Sequence, residues 1–168
     1  MQVFDLTADN APAVAKLMAR IKPDWWSFDS ALEAITAPGI IGWYMGESFD
    51  TPAGFIHVKE LKAYNCIELE NYGFNDCGVF HTGRKMAALF DKVEQYAAAN
   101  GFRSVRVTVT YKKEFGAKIN YAKELADVKT EKSDNYLVSH RGYRPAGFIP
   151  DCYGINSHGL MILKYLHE

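Results

Sequence analysis

Apolar and polar positions change period repeatedly along the chain, and each change marks the edge of an element. Residues 2–6 are the first strand candidate. Asp9 or Asn10 then offers an N-cap oxygen, Pro12 suits a first helical turn, and Val14, Leu17, Met18 and Ile21 recur at helical spacing until Pro23. A second short helix fits residues 30–36, stopped by Pro38 and Gly39. Three extended stretches follow, over 40–45, 53–59 and 65–74, the first two joined by a turn over 46–52. In the third, alternation puts Ile67 and Leu69 on one face and Glu68, Glu70 and Tyr72 on the other. Two carboxylates on a buried face are costly without partners, so that face is expected to open onto solvent or a cleft.

Residues 84–100 carry the clearest helical pattern, with Met86, Leu89, Phe90, Val93, Tyr96 and Ala97 forming an apolar stripe and Asn100-Gly101 supplying a stop. Residues 103–110 alternate as a half-buried strand, with Val105, Val107 and Val109 on one face. Residues 111–133 differ in character. They hold lysines at 112, 113, 118, 123, 129 and 132, yet Phe115, Ile119, Ala122 and Leu125 recur at helical spacing. This reads as an inserted amphipathic helix with charged ends, either a solvated surface element or a lid or dimer arm. A short helix at 135–141 and strands at 143–150 and 159–166 close the chain. The order, β-α-α-β-β-β-α-β-(α)-α-β-β, predicts an α/β fold with a central mixed sheet flanked by helices. With no repeat, linker or low-complexity tract, residues 1–168 read as one domain carrying the lysine-rich insertion at about 111–133.

Composition narrows the function classes. Apolar residues make up 48% of the chain and charged residues 23%, enough to bury a sizeable core. The net charge is −1 and no basic stripe stands out, which argues against nucleic acid or an anionic membrane as partner. A phosphate site would have to be local. Cys66, Cys77 and Cys152 show neither CxxC nor zinc-like spacing, so reduced thiols and no metal are expected. No apolar run is long enough to span a bilayer, and the first residues lack a secretion signal, so a cytoplasmic location is expected.

Two stretches carry a family likeness. Glu94-Gln95-Tyr96-Ala97-Ala98-Ala99-Asn100-Gly101-Phe102-Arg103-Ser104-Val105 resembles the end of the central helix of the GNAT N-acetyltransferases running into their fifth strand. His140-Arg141-Gly142-Tyr143-Arg144-Pro145-Ala146-Gly147-Phe148 resembles their closing "GF" element. The resemblance implies a GNAT-like fold, with acetyl-CoA as co-substrate and transfer of its acetyl group to a primary amine on a small molecule or peptide. A homodimer is left open.

The family's acetyl-CoA signature, Q/R-x-x-G-x-G/A, falls on His81-Thr82-Gly83-Arg84-Lys85-Met86, where only Gly83 is of the matching kind. The implied acetyl-CoA site is Phe74 with these six residues. Its physical basis is a helix amino end, whose unpaired N–H groups and positive dipole favour pyrophosphate, with Arg84 and Lys85 adding charge-assisted bonds.

By the same resemblance Glu70 is the candidate base for the amine proton, with Glu68 in reserve; solvated strand carboxylates are the alternative. The family's proton-donating Tyr position holds Val138, which makes Tyr136 the candidate donor, with Ser139 and His140 as other polar groups nearby. Trp25 and Trp26, beside Phe28, fall where the family builds its acceptor site, although aromatic residues there can equally be core or dimer contacts. His57, His158 and His167 form no constellation. The departures at 81–86 and 138 keep a second function open, a non-catalytic acyl-CoA-binding or regulatory domain, and an interaction module is a third.

Overall fold

A computed structural model describes residues 1–75, 85–114, 120–128 and 132–166. The chain runs β1 (Gln2–Asp5), α1 (Ala11–Ile21), α2 (Phe28–Thr36), β2 (Ile40–Gly46), β3 (Pro52–Leu61), β4 (Cys66–Phe74), α3 (Ala87–Ala99), β5 (Ser104–Lys112), α4 (Tyr121–Ala126), α5 (Lys132–His140), β6 (Arg144–Ile149) and β7 (Ser157–Tyr165). A 3-10 turn over Lys62–Tyr64, absent from the sequence reading, links β3 to β4. The strands form one seven-stranded sheet in the order β1-β2-β3-β4-β5-β7-β6. Every neighbouring pair is antiparallel except β4 and β5, which run parallel with α3 as their crossover. The expected mixed sheet with flanking helices is what the chain forms.

Local chemistry explains the element boundaries. Asn10 makes no side-chain cap for α1. Its amide instead donates to the Asp5 carbonyl at 3.0 Å and accepts from the Thr7 N–H at 2.8 Å, pinning the β1–α1 link. α2 begins at Phe28, earlier than the expected residue 30, because Ser27 is the N-cap and Ser30 closes a capping box with it. α3 ends in a Schellman motif, with Phe102 N–H on the Ala97 carbonyl and Gly101 N–H on the Ala98 carbonyl. Gly101 takes φ +77° there, a backbone conformation that strains any residue with a Cβ.

Helices cover both faces of the sheet. On one, Leu89, Phe90, Val93 and Ala97 of α3 pack on Ile56, Val58, Ile67, Leu69, Val105 and Val107. On the other, Val14, Leu17 and Met18 of α1 with Ala31 and Ile35 of α2 pack on Tyr44 and Phe55. A charged cluster ties the α3 layer together. Arg141, after α5, pairs with Asp91 and Glu94 of α3 at 2.6 and 3.0 Å, and Lys164 of β7 reaches Glu94 at 2.6 Å.

The insertion is shorter than expected, since β5 runs on to Lys112. Its described helix, α4, is capped by Asn120 and joined to β5 through Glu124, which accepts from the Tyr111 hydroxyl and pairs with Lys113. Leu125 packs on the α3-side core, while Phe115 and Ile119 lie outside the described residues. Among the described residues no helix is long and apolar enough to cross a membrane.

Candidate functional site

The parallel ladder between β4 and β5 is short. It runs from Cys66–Ser104 to Leu69–Val107 and stops there, although β4 continues to Phe74 and β5 to Lys112. Beyond Leu69 the facing edges of the two strands are not paired with each other, which opens a split in the middle of the sheet. Backbone amides along such an edge need partners, and a ligand with its own amides and carbonyls can supply them.

The β3–β4 register shifts at the mouth of this split. His57 pairs with Asn71 and Val58 with Leu69, so Glu70 is the extra residue of a β-bulge. This overturns the strict alternation expected from the sequence. Ile67, Leu69, Tyr72 and Phe74 all pack into the α3-side core. Asn71 instead accepts from the Lys22 ammonium at 2.9 Å on the α1 side, and a Cβ on Gly73 would stand 3.0 Å from Phe55. Glu70 and Tyr72 therefore do not share a face, because one added residue inverts the phase of everything after it.

Glu70 sits on the side away from α3. It acts electrostatically on Glu68, Lys59 and Tyr153, a tyrosine of the β6–β7 loop whose hydroxyl donates to the Thr108 carbonyl at 3.3 Å. Desolvation first, then repulsion from Glu68, raises the Glu70 pKa above the usual carboxylate value, with Lys59 pulling the other way. Glu68 is engaged differently. Arg106 grips it through Nη2 at 2.5 Å and Nε at 2.6 Å, and Thr108 donates to its other oxygen at 3.4 Å. Of the two carboxylates, Glu70 is the one exposed and destabilised as an anion.

On the α3 side of the split the helix begins at Ala87 with Met86 as N-cap. Among the described residues no side chain caps it and no acidic residue lies in its first turn. Met86 itself is fully buried, so it offers its backbone rather than its side chain. Lys85 stands exposed at the same end, its ammonium 5.6 Å from the Phe74 ring centre. His81, Thr82, Gly83 and Arg84 lie outside the described residues.

One turn into α3, Phe90 meets two tyrosine rings. Tyr72 comes from β4 edge-on at 5.4 Å, and Tyr136 from α5 at 6.4 Å. Among the described side chains of α5, Leu137 is buried, with Tyr136 and Val138 half-buried on either side. Successive residues in a helix are turned by about 100°. Tyr136 and Val138 are thus about 200° apart on this helix and flank Leu137 on opposite sides, so Tyr136 does not take the direction of Val138.

On the opposite, α1–α2 side, Trp25 is 65% exposed with the Lys22 ammonium 4.9 Å over its ring. Trp26 packs against the α1–α2 core with its indole N–H buried and, among the described residues, without a partner. His57, given no role from sequence, lies in the same layer at 3% exposure, and neither ring nitrogen has a partner among the described residues.

No family model matches the sequence, and no curated protein matches it. Solved structures do match in shape. An aminoglycoside 6'-N-acetyltransferase from Enterococcus faecium superposes with a TM-score of 0.85 at 15% identity, over 100% of this chain and 98% of that one. An aminoglycoside 6'-N-acetyltransferase complexed with coenzyme A gives 0.81 at 14% identity over 100% and 98%. Arabidopsis thaliana NAA60 in complex with acetyl-CoA gives 0.65 at 11% identity over 99% of each chain.

The fold is that of the GNAT acetyltransferases. On this GNAT fold Glu70 and Phe74 lie on β4 past the last β4–β5 pair, Lys85 and the Met86 backbone stand at the start of α3, and Tyr136 packs on Phe90 of that helix. Trp25 and Trp26 stand apart on the α1–α2 side. Sequence reasoning missed Tyr153, whose placement depends on a long-range loop contact. It also put Tyr72 on the wrong face, because periodicity carries no signal for a bulge.

Proposed function

We propose that this single domain of 168 residues transfers an acetyl group from acetyl-CoA to a primary amine, with both molecules bound at once. The observation that carries the reading is the β4–β5 split lying beside the amino end of α3, which among the described residues has no capping side chain and no acidic residue. Unpaired strand edges suit the amide-bearing arm of such a ligand, and a helix amino end suits its pyrophosphate, so the residues present fit the group. Phe74, Lys85 and the Met86 backbone, with His81, Thr82, Gly83 and Arg84, would hold it. That superposable chains bind CoA or acetyl-CoA supports this assignment.

Acetyl-CoA, when bound, supplies the acetyl group as an activated thioester. Glu70 takes the proton that an ammonium must lose before it can attack, and its raised pKa makes it a better acceptor of that proton. Burial first, then repulsion from Glu68, keeps Glu70 basic. Amide groups on the unpaired β4 edge face the position where negative charge develops on the carbonyl oxygen. A tyrosine hydroxyl beside Phe90 supplies the proton for sulfur, with Tyr136 the candidate named from sequence. Trp25 and Trp26 would line the approach of the amine, as aromatic surfaces do for cationic groups.

Thioester consumption over a panel of amines tests the reading. Glu70→Gln should lower kcat about 100-fold, the lower range for a general base, while the affinity for acetyl-CoA holds. The acidic limb of the rate profile, set above the ordinary carboxylate range by the raised Glu70 pKa, should vanish with it. Binding of acetyl-CoA without turnover on any amine would favour the non-catalytic reading suggested by Val138. An unchanged rate in the variant removes Glu70 from the mechanism.

A further inference from the structure

A second feature of the sheet takes no part in holding acetyl-CoA: a cavity of about 510 Å³ at the start of β4 and β5 and the end of β7. On β5 its lining residues Ser104 and Arg106 alternate with Val105 and Val107 of the α3-side core. On β7 Met161 and Leu163 alternate likewise with Leu160 and Ile162. Successive strand residues point to opposite faces, so the cavity lies on the face away from α3, with Glu68 and Glu70. There α1 and α2 cover β2 and β3, packing on Tyr44 and Phe55, and the cavity lies beyond them. Exposed rings line it from two elements, Tyr64 from the 3-10 turn and Tyr165 from β7.

Charge is divided along this face. Arg103 and Arg106 line the cavity, and among the described residues no carboxylate does. Glu68 neutralises Arg106, while Arg103 has no carboxylate partner among the described residues. The Arg103 N–H donates to the Asn65 carbonyl at 3.0 Å, which sets Arg103 level with Asn65, five residues before Glu70. At roughly 3.3 Å per residue, Arg103 and Glu70 stand about 16 Å apart along the strands. We propose that the acceptor is the amino end of an extended peptide, with its amine at Glu70 and a carboxylate four or five residues on held by Arg103. This subsite rests on the acetyl-transfer reading above. An extended peptide advances at the same rate as the strands beneath it, so its length matches the face it lies on. Arg103 holds the carboxylate through charge-assisted hydrogen bonds, and the Tyr64 and Tyr165 rings pack on the side-chain stem. A cation in the same place is repelled by Arg103.

Six-residue peptides test this, with a free amino end, an amidated carboxyl end, and alanine throughout except for glutamate, glutamine or lysine at the fifth place. Calorimetry measures their binding to protein saturated with CoA, and acetyl-transfer kinetics follow. One charge-assisted bond should make the wild-type protein bind the glutamate peptide about tenfold tighter than the glutamine peptide, with the lysine peptide weakest. Arg103→Gln should erase that preference by raising the peptide KM, leaving kcat and the affinity for acetyl-CoA unchanged. Arg103→Lys, which restores the charge without the fork, should keep part of it. Moving the glutamate to the second place should also erase it, which a general attraction for anions would not do. Equal binding of the glutamate and glutamine peptides, or a preference that survives in Arg103→Gln, overturns the subsite. Failure of acetyl-CoA to bind the wild-type protein would instead sink the acetyl-transfer reading itself, and this inference with it.

Discussion

His57 shows how much a single side chain can reveal once the sheet is assembled. It is paired in register with Asn71, and burial first, then the Lys22 charge, lower its pKa from 6.5 to about 4. The folded protein therefore keeps this imidazole neutral, whereas the unfolded chain protonates it near pH 6.5. Protonation favours the unfolded state, so the stability involved is complete above about pH 6.5 and drains away as the pH falls towards 4. At 1.36 kcal/mol per unit, the loss is on the order of 3 kcal/mol. Urea unfolding of wild-type protein and His57→Leu at pH 7 and pH 4 measures it. The variant should gain relative to wild type by that amount on acidification, and a pH-independent difference would contradict a buried neutral imidazole. Nothing in the sequence marked His57, because Lys22 and Asn71 become its neighbours only through folding.

At the scale of elements, the helices were legible and the fine phase of the strands was not. The apolar stripe of α3 and its Asn100-Gly101 stop appear where the period placed them, since local spacing and a glycine terminator suffice. β4 was found as a strand, but its bulge came from pairing with β3, and that pairing decides where Glu70 and Tyr72 point. α2 was placed late because Ser30 looked like a beginning while acting as the third residue of a capping box.

The Arg141 clamp was likewise invisible, as its partners lie 47 and 50 residues away. Arg141 is 10% exposed and Glu94 15%, so Arg141→Met removes one of the two cationic partners of Glu94, leaving Lys164, and should cost about 2 kcal/mol. Asp91 is 54% exposed, and Asp91→Ala should cost under about 1 kcal/mol. Denaturant melts of the two variants check the order, and equal losses would deny the clamp its role.

For the molecule as a whole, the order of elements carried the architecture. Strands in quick succession followed by a long helix and a further strand can hardly be joined otherwise than through one parallel crossover in a mixed sheet. Of the candidate site, the order of elements made legible only that the end of β4 lies beside the start of α3; the split between β4 and β5 and the bulge that inverts one strand were not legible, because both arise from strand pairing. The central claim is that this split, with the amino end of α3, is an acetyl-CoA site. Thermal unfolding at increasing acetyl-CoA measures that most directly. At 100 times the dissociation constant the fold should gain roughly 2.7 kcal/mol, which raises the melting temperature of a domain this size by about 5–10 °C. A melting temperature that stays put in millimolar acetyl-CoA and CoA would contradict the account.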